Sequence, residues 1–200
     1  MGTGYASRGF LSIAVAPSSD QWKKMRRVVA SEVIDPSRLC WLFEKRTEEA
    51  DNLVRYVYNQ CVSGAVVDVR VAVRQYNGNV IRKMVFNKRY FGEGMKDGGP
   101  GVEQEEYIDA LFSMLFVLYA FCVSDYMPSL RRFGLNEHEK IMKVAIKIVN
   151  KYHDPIIDKR KWREGKKKEA EDFLDILISV KDSNGKPLLS TKEIKVQTTV

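Results

Sequence analysis

The heptapeptide Gln21-Trp22-Lys23-Lys24-Met25-Arg26-Arg27 lies inside a longer amphipathic pattern, Asp20 to Glu32. Trp22, Met25, Val28 and Val29 fall on one side of a helix there, with Lys23, Lys24 and Arg27 toward the other. Trp22 and Arg26 are four residues apart on one face, so an indole N–H and a guanidinium can converge on a single anion. That pairing suits a carboxylate or a propionate. Trp-x-x-x-Arg is a common spacing, and it gains meaning only from what surrounds it.

Outward from that helix the chain reads as helical nearly throughout. Asp35-Pro36 supplies an N-cap and a proline at the first helical position. The helix they open is predicted to carry Leu39, Phe43, Ala50, Leu53 and Val57 on its apolar face and to end at Cys61 to Gly64. Ala65 to Val69 reads as a short strand, followed by a second amphipathic helix through Val73, Tyr76, Val80 and Met84, weakened by Gly78. Gly92 to Gly101 holds five glycines and a proline in ten residues and is a loop. Glu103, Glu105 and Glu106 then complement the dipole at the start of the next helix.

Asn136 to about Lys161 forms a long helix with Ile141, Ala145, Ile148, Tyr152 and Ile156 inside. Lys140, Lys143, Lys147 and Lys151 make the opposite stripe, and Pro155 is expected to bend or break the helix. Phe173 to Val180 is a short helix and Asp182-Ser183-Asn184-Gly185 a turn. Ser190 with Glu193 is a capping box that opens a last helix. The pattern stops roughly two turns into it, which reads as a cut through an element. The expectation is one mainly α domain over residues 1–200, truncated at both ends.

Composition excludes several classes. With 44% hydrophobic and 30% charged residues the chain is neither disordered nor low-complexity. Cys40, Cys61 and Cys122 are odd in number and widely spaced, against a disulfide framework, and with His138 and His153 they form no zinc pattern. The start carries neither a signal peptide nor a myristoylation signal. The longest apolar run, Ala110 to Val123, is fourteen residues, short of the roughly 18 a membrane-spanning helix needs. Any membrane anchor is therefore expected outside this chain.

The net charge of +7 is concentrated: Lys140 to Lys168 holds eleven Lys or Arg against three acids. Its densest part, Lys159 to Lys168 with Trp162 inside, is what a nucleic-acid-binding module would present, and equally what solvated lysines at a helix end would give. Asp97-Gly98-Gly99-Pro100-Gly101 lacks the lysine and the strand of a phosphate cradle. His153, Asp154 and Asp158 read as helix and surface groups in preference to metal ligands. No nucleophile elbow or zinc-protease motif is present, and no metal site is expected.

Taken together, several stretches resemble plant cytochromes P-450. Gln21 to Arg27 is similar to the helix whose Trp and Arg hold a haem propionate. Phe86-Asn87-Lys88-Arg89-Tyr90-Phe91-Gly92, Asp97 to Gly101 and Ala120-Phe121-Cys122-Val123-Ser124-Asp125-Tyr126-Met127-Pro128 resemble the amino-acid N-hydroxylating, aldoxime-forming branch. So do His138-Glu139-Lys140, Lys151-Tyr152-His153-Asp154-Pro155-Ile156-Ile157, Glu171 to Ile178 and Gly185-Lys186-Pro187-Leu188-Leu189, in matching order. Ser18-Ser19 and Arg131-Arg132-Phe133-Gly134 depart from the branch. The likeness covers essentially all 200 residues.

This resemblance implies a partial cytochrome P-450 fold, from the propionate-contacting helix to the start of the central helix. It implies a haem-thiolate monooxygenase that N-hydroxylates an amino acid twice, releasing CO2 and water to give an aldoxime, as in glucosinolate or cyanogenic glucoside metabolism. Haem would be held through Trp22 and Arg26. Substrate would approach the stretch Ser12, Ile13, Ala14, Val15 and Ala16, and Lys23, Lys24 and Arg27 would face an NADPH–cytochrome P-450 reductase. The thiolate cysteine is expected outside the chain, since none of the three cysteines has the family's Phe-x-x-Gly-x-x-x-Cys setting, so this span alone would hold no catalytic residue. The complete protein would sit at the cytosolic face of the endoplasmic reticulum membrane and bind no nucleic acid. A non-catalytic remnant and a helical nucleic-acid-binding module are the alternatives.

Overall fold

The computed structural model describes residues 8, 9, 11–14, 16–96, 98–120, 137–162 and 169–199. Val15, Asp97, Cys122, the Arg131 to Gly134 turn and the cations Arg163 to Lys168 lie outside them. The described chain forms eight α-helices and one π-helical turn, with no strand: α1 (Asp20–Val28), the π turn (Val29–Val33), α2 (Pro36–Trp41), α3 (Phe43–Val62), α4 (Val69–Phe86), α5 (Val102–Tyr119), α6 (Glu137–Trp162), α7 (Phe173–Ser179) and α8 (Thr191–Gln197). The only extended pairing among these residues is a single bridge between Lys181 and Pro187 around the Asp182 turn.

Local chemistry sets most boundaries. Ser19 caps α1, its side chain accepting from the Trp22 N–H at 3.3 Å, so the unusual Ser18-Ser19 pair has a structural use. Asp35 accepts from the Ser37 N–H at 2.9 Å and Asp68 from the Val71 N–H at 3.1 Å. Ser190 and Glu193 close the capping box of α8 in both directions. At the start of α5, a Cβ on Gly101 would fall 2.0 Å from the Glu93 carbonyl oxygen, so only glycine lets the loop return that closely.

The core is built mainly where α5 packs on α6, with Tyr107, Ile108, Met114 and Val117 against Met142, Ala145, Val149, His153 and Ile157. Leu174, Leu177, Leu189 and Ile194 close it from α7 and α8, and Met25 and Val28 from α1. His153 is 1% exposed, its Nε2 3.0 Å from the Tyr107 hydroxyl and its ring edge-on to Phe86 at 4.7 Å. Burial first, then the positive charges of Arg82 and Arg8, hold its pKa down at about 3, so it is a neutral core residue.

Several expectations need correction. Ala65 to Val69 is no strand: Val66 is 97% exposed and the segment only leads Asp68 into its cap. The helix opened by Pro36 is two helices, split at Leu42, which leaves helical geometry to bury itself against Phe173 and Ile176, while Leu39 and Phe43 face outward. In α4 the buried positions are Ala72, Gly78, Asn79, Arg82 and Phe86, not the face of Val73, Tyr76, Val80 and Met84. Gly78 is a contact point there, since a Cβ on it would lie 2.0 Å from Ile108 Cδ1.

In α6 the predicted inner face holds for Ala145, which is buried, and for Ile148, Tyr152 and Ile156, which pack partly buried against the core. Met142, Val149 and Ile157 are buried while Ile141 is 44% exposed, and the helix runs on through Pro155. The lysine stripe Lys140, Lys143, Lys147 and Lys151 is exposed as expected.

Candidate functional site

The outer edge of α1 presents the Trp22–Arg26 pair. Met25 and Val28 anchor the inner side of this helix at 0% and 1% exposure, which turns Arg26 outward. The Arg26 guanidinium carbon lies 5.2 Å from the centroid of the half-buried Trp22 ring. Neither the indole N–H nor the guanidinium has another polar partner among the described residues. Stacking thus holds a planar cation beside an N–H donor with both left available to an anion.

Glu193, at the start of α8, ties this helix in place. Its Oε1 accepts from Lys24 Nζ at 2.7 Å and from Gln21 Nε2 at 2.8 Å. Its Oε2 accepts from the Ser190 N–H at 2.8 Å. Burial raises the Glu193 pKa, but the hydrogen bonds from Lys24, Ser190 and Gln21 outweigh it and leave it at about 2. Sequence reading found Glu193 as half of a capping box and missed its second task, because the bond to Lys24 spans 169 positions.

Lys24 is therefore not one of three equivalent outward cations. It is half-buried in its ion pair with Glu193, whereas Lys23 and Arg27 are exposed. The physical reason is rotation: Gln21 and Lys24 lie on the side of α1 that meets Glu193 at the start of α8. Ser12, Ile13, Ala14 and Ala16 form a turn against the end of α8, with Ser12 at 0% exposure and the Ile13 N–H 3.5 Å from Gln197 Oε1. The structure thus brings the candidate substrate stretch and the Trp22–Arg26 helix to opposite ends of one short helix.

The dense basic run is partly internal. Arg160 Nη1 reaches Asp172 at 2.5 Å and Asp175 at 2.8 Å while Nη2 donates to the Phe86 carbonyl, and Lys161 donates to Thr191 Oγ1 at 2.9 Å. These cations hold α6 to α7 and α8 and do not form a free phosphate-binding stripe. Asp154 pairs with Arg8 at 2.8 Å and Asp158 with Lys195 at 2.8 Å, and no cluster of metal-ligating groups occurs among the described residues.

The family model for cytochrome P450 matches residues 5–200. The chain belongs to the cytochrome P450 family. It is 54% identical over 204 residues to a tryptophan N-monooxygenase of Prunus mume, covering 100% of this chain and 38% of that protein. It is 54% identical over 207 residues to a phenylalanine N-monooxygenase of Arabidopsis thaliana, covering 100% and 39%. It is 53% identical over 193 residues to valine N-monooxygenase 1 of Manihot esculenta, covering 96% and 36%. The chain spans less than two fifths of the length of these relatives.

Membership in the cytochrome P450 family implies haem, and the donor set on α1 fits part of it. An unpaired guanidinium stacked on an indole, on a helix pinned from behind, is suited to a propionate. The two cysteines within the described residues, Cys40 and Cys61, are both exposed, on α2 and α3. No described helix is long and apolar enough to cross a membrane.

Proposed function

We propose that this chain is part of a haem-thiolate monooxygenase that converts an amino acid to its aldoxime by two N-hydroxylations with release of CO2 and water. One observation carries the reading: about half of all positions match N-monooxygenases of aromatic and aliphatic amino acids alike, across the whole chain. Bound haem supplies the oxygen activation, with electrons delivered from NADPH through a membrane reductase.

The residues of this chain act around that group. Arg26 and Trp22 hold a propionate, the cation by charge-assisted hydrogen bonds and the indole by its N–H. Glu193 keeps their helix in register with α8 through Lys24 and Gln21. Ser12, Ile13, Ala14 and Ala16, with the Ile13 N–H against Gln197, lie along one wall of the substrate space. Lys23 and Arg27 face the reductase, and the complete protein works at the cytosolic face of the endoplasmic reticulum.

The test is turnover. The complete protein in membranes with reductase and NADPH is offered tryptophan, phenylalanine, tyrosine, valine and isoleucine separately. An aldoxime from at least one of them is expected. Oxygenation of these amino acids with their carboxyl groups retained, and no aldoxime from any of them, would contradict the reading.

A further inference from the structure

A cavity of about 150 Å3 lies between α3, α4 and the glycine-rich loop, apart from α1 and α8. Its wall is built and held. The Tyr90 hydroxyl donates to the Gly98 carbonyl at 2.9 Å, the Met95 N–H donates to the Gly99 carbonyl at 3.0 Å, and Gly98 to Pro100 face the two helices across the space. Tyr56, Tyr76 and Tyr90 line it.

Glu49 is the unusual member. It is the one buried residue of α3, 2% exposed, and it lines this space. Its Oε2 sits 3.3 Å from Arg89 Nε, while its Oε1 has no hydrogen-bond partner. Leaving such an oxygen without a donor costs on the order of 1–3 kcal/mol. Glu49 is ion-paired through Oε2 with Arg89 and also feels Lys83 and Arg82, while the lining itself carries Glu49 and the exposed Glu105 against Arg89, two acids to one cation beside aromatic rings.

We propose that this cavity binds a small organic cation carrying N–H donors, an ammonium or amidinium with a compact apolar body, which donates to Glu49 Oε1 and lays its apolar part among the tyrosines. The site is independent of the monooxygenase reading. It offers a remote place from which a cationic metabolite could brace α3 against the glycine-rich loop.

Benzamidine is the probe, because it is protonated near neutral pH and so does not ligate haem iron, which an unchanged Soret band verifies. Calorimetric titration of the complete protein should show binding, about tenfold or more weaker for the neutral isostere benzamide. Glu49→Gln should cost about tenfold in affinity. Val71→Trp, placed at a lining residue that is 45% exposed, should block the cavity with Glu49 intact and abolish binding. Equal affinity for benzamide, binding that survives Val71→Trp, or no binding at all, meaning a cavity that holds water only, would each overturn the proposal.

Discussion

Arg26 and Trp22 make the most specific claim at the scale of single residues. If they hold a propionate, Trp22→Ala or Arg26→Ala in the complete protein should lower haem content, since a hydrogen bond to a charged group contributes roughly 1.5–3 kcal/mol. Lys23→Ala, one position away and exposed, should leave it unchanged. Equal haem occupancy in all three variants, read from the pyridine haemochrome, would remove the assignment. His153 makes a second claim. Its folded pKa of about 3 lies below the ordinary 6.5, so its contribution to stability is present above pH 6.5 and is lost as pH falls from there toward 3. Urea unfolding should therefore show a loss of about 2 kcal/mol between pH 7 and pH 5. In His153→Gln, which keeps an acceptor for Tyr107, that slope should flatten. An unchanged slope would mean that His153 titrates normally. The sequence put Trp22 and Arg26 on one helical face, and the stretches around them pointed to a propionate. It gave no sign of Glu49, which stands in the mostly polar run Arg46 to Asp51, and whose partner Arg89 is forty positions away.

Helix ends were legible because their causes are local. Ser190 with Glu193, Asp35 with Pro36 and the five-glycine loop act within a few residues, and each stands where periodicity and capping put it. Helix faces were less legible, because hydrophobicity marks the core only where the core is apolar. The inner face of α4 carries Asn79 and Arg82 among Ala72, Gly78 and Phe86, with the Arg82 guanidinium near the Phe91 and Tyr107 rings at 4.9 and 5.3 Å. A scan for apolar stripes instead selects Val73, which is 44% exposed. The α2–α3 joint was invisible for another reason: Leu42 breaks the helix to reach Phe173 and Ile176, more than a hundred residues on. Leu42→Ala should accordingly cost about 2–5 kcal/mol in urea unfolding, far more than Phe43→Ala beside it, which is 59% exposed. Similar losses for the two would show that the joint does not depend on that burial.

At the scale of the molecule, the charge on α1 is divided between two tasks. Lys24 is committed to Glu193, and Lys23 and Arg27 remain outside to meet a partner. Reversing both with Lys23→Glu and Arg27→Glu should raise the reductase concentration needed for half-maximal turnover, with little change in substrate binding, and salt should shrink the difference. An unchanged reductase dependence at low salt would place the docking face elsewhere. The central claim is the reaction itself, and it is tested most directly by isotope. The complete protein, with reductase and NADPH, is given an amino acid labelled with heavy carbon in its carboxyl group and heavy nitrogen in its amine, and the products are read by mass spectrometry. The account predicts an aldoxime that keeps the heavy nitrogen, with the heavy carbon released as CO2. A hydroxylated product that retains the labelled carboxyl group would contradict it.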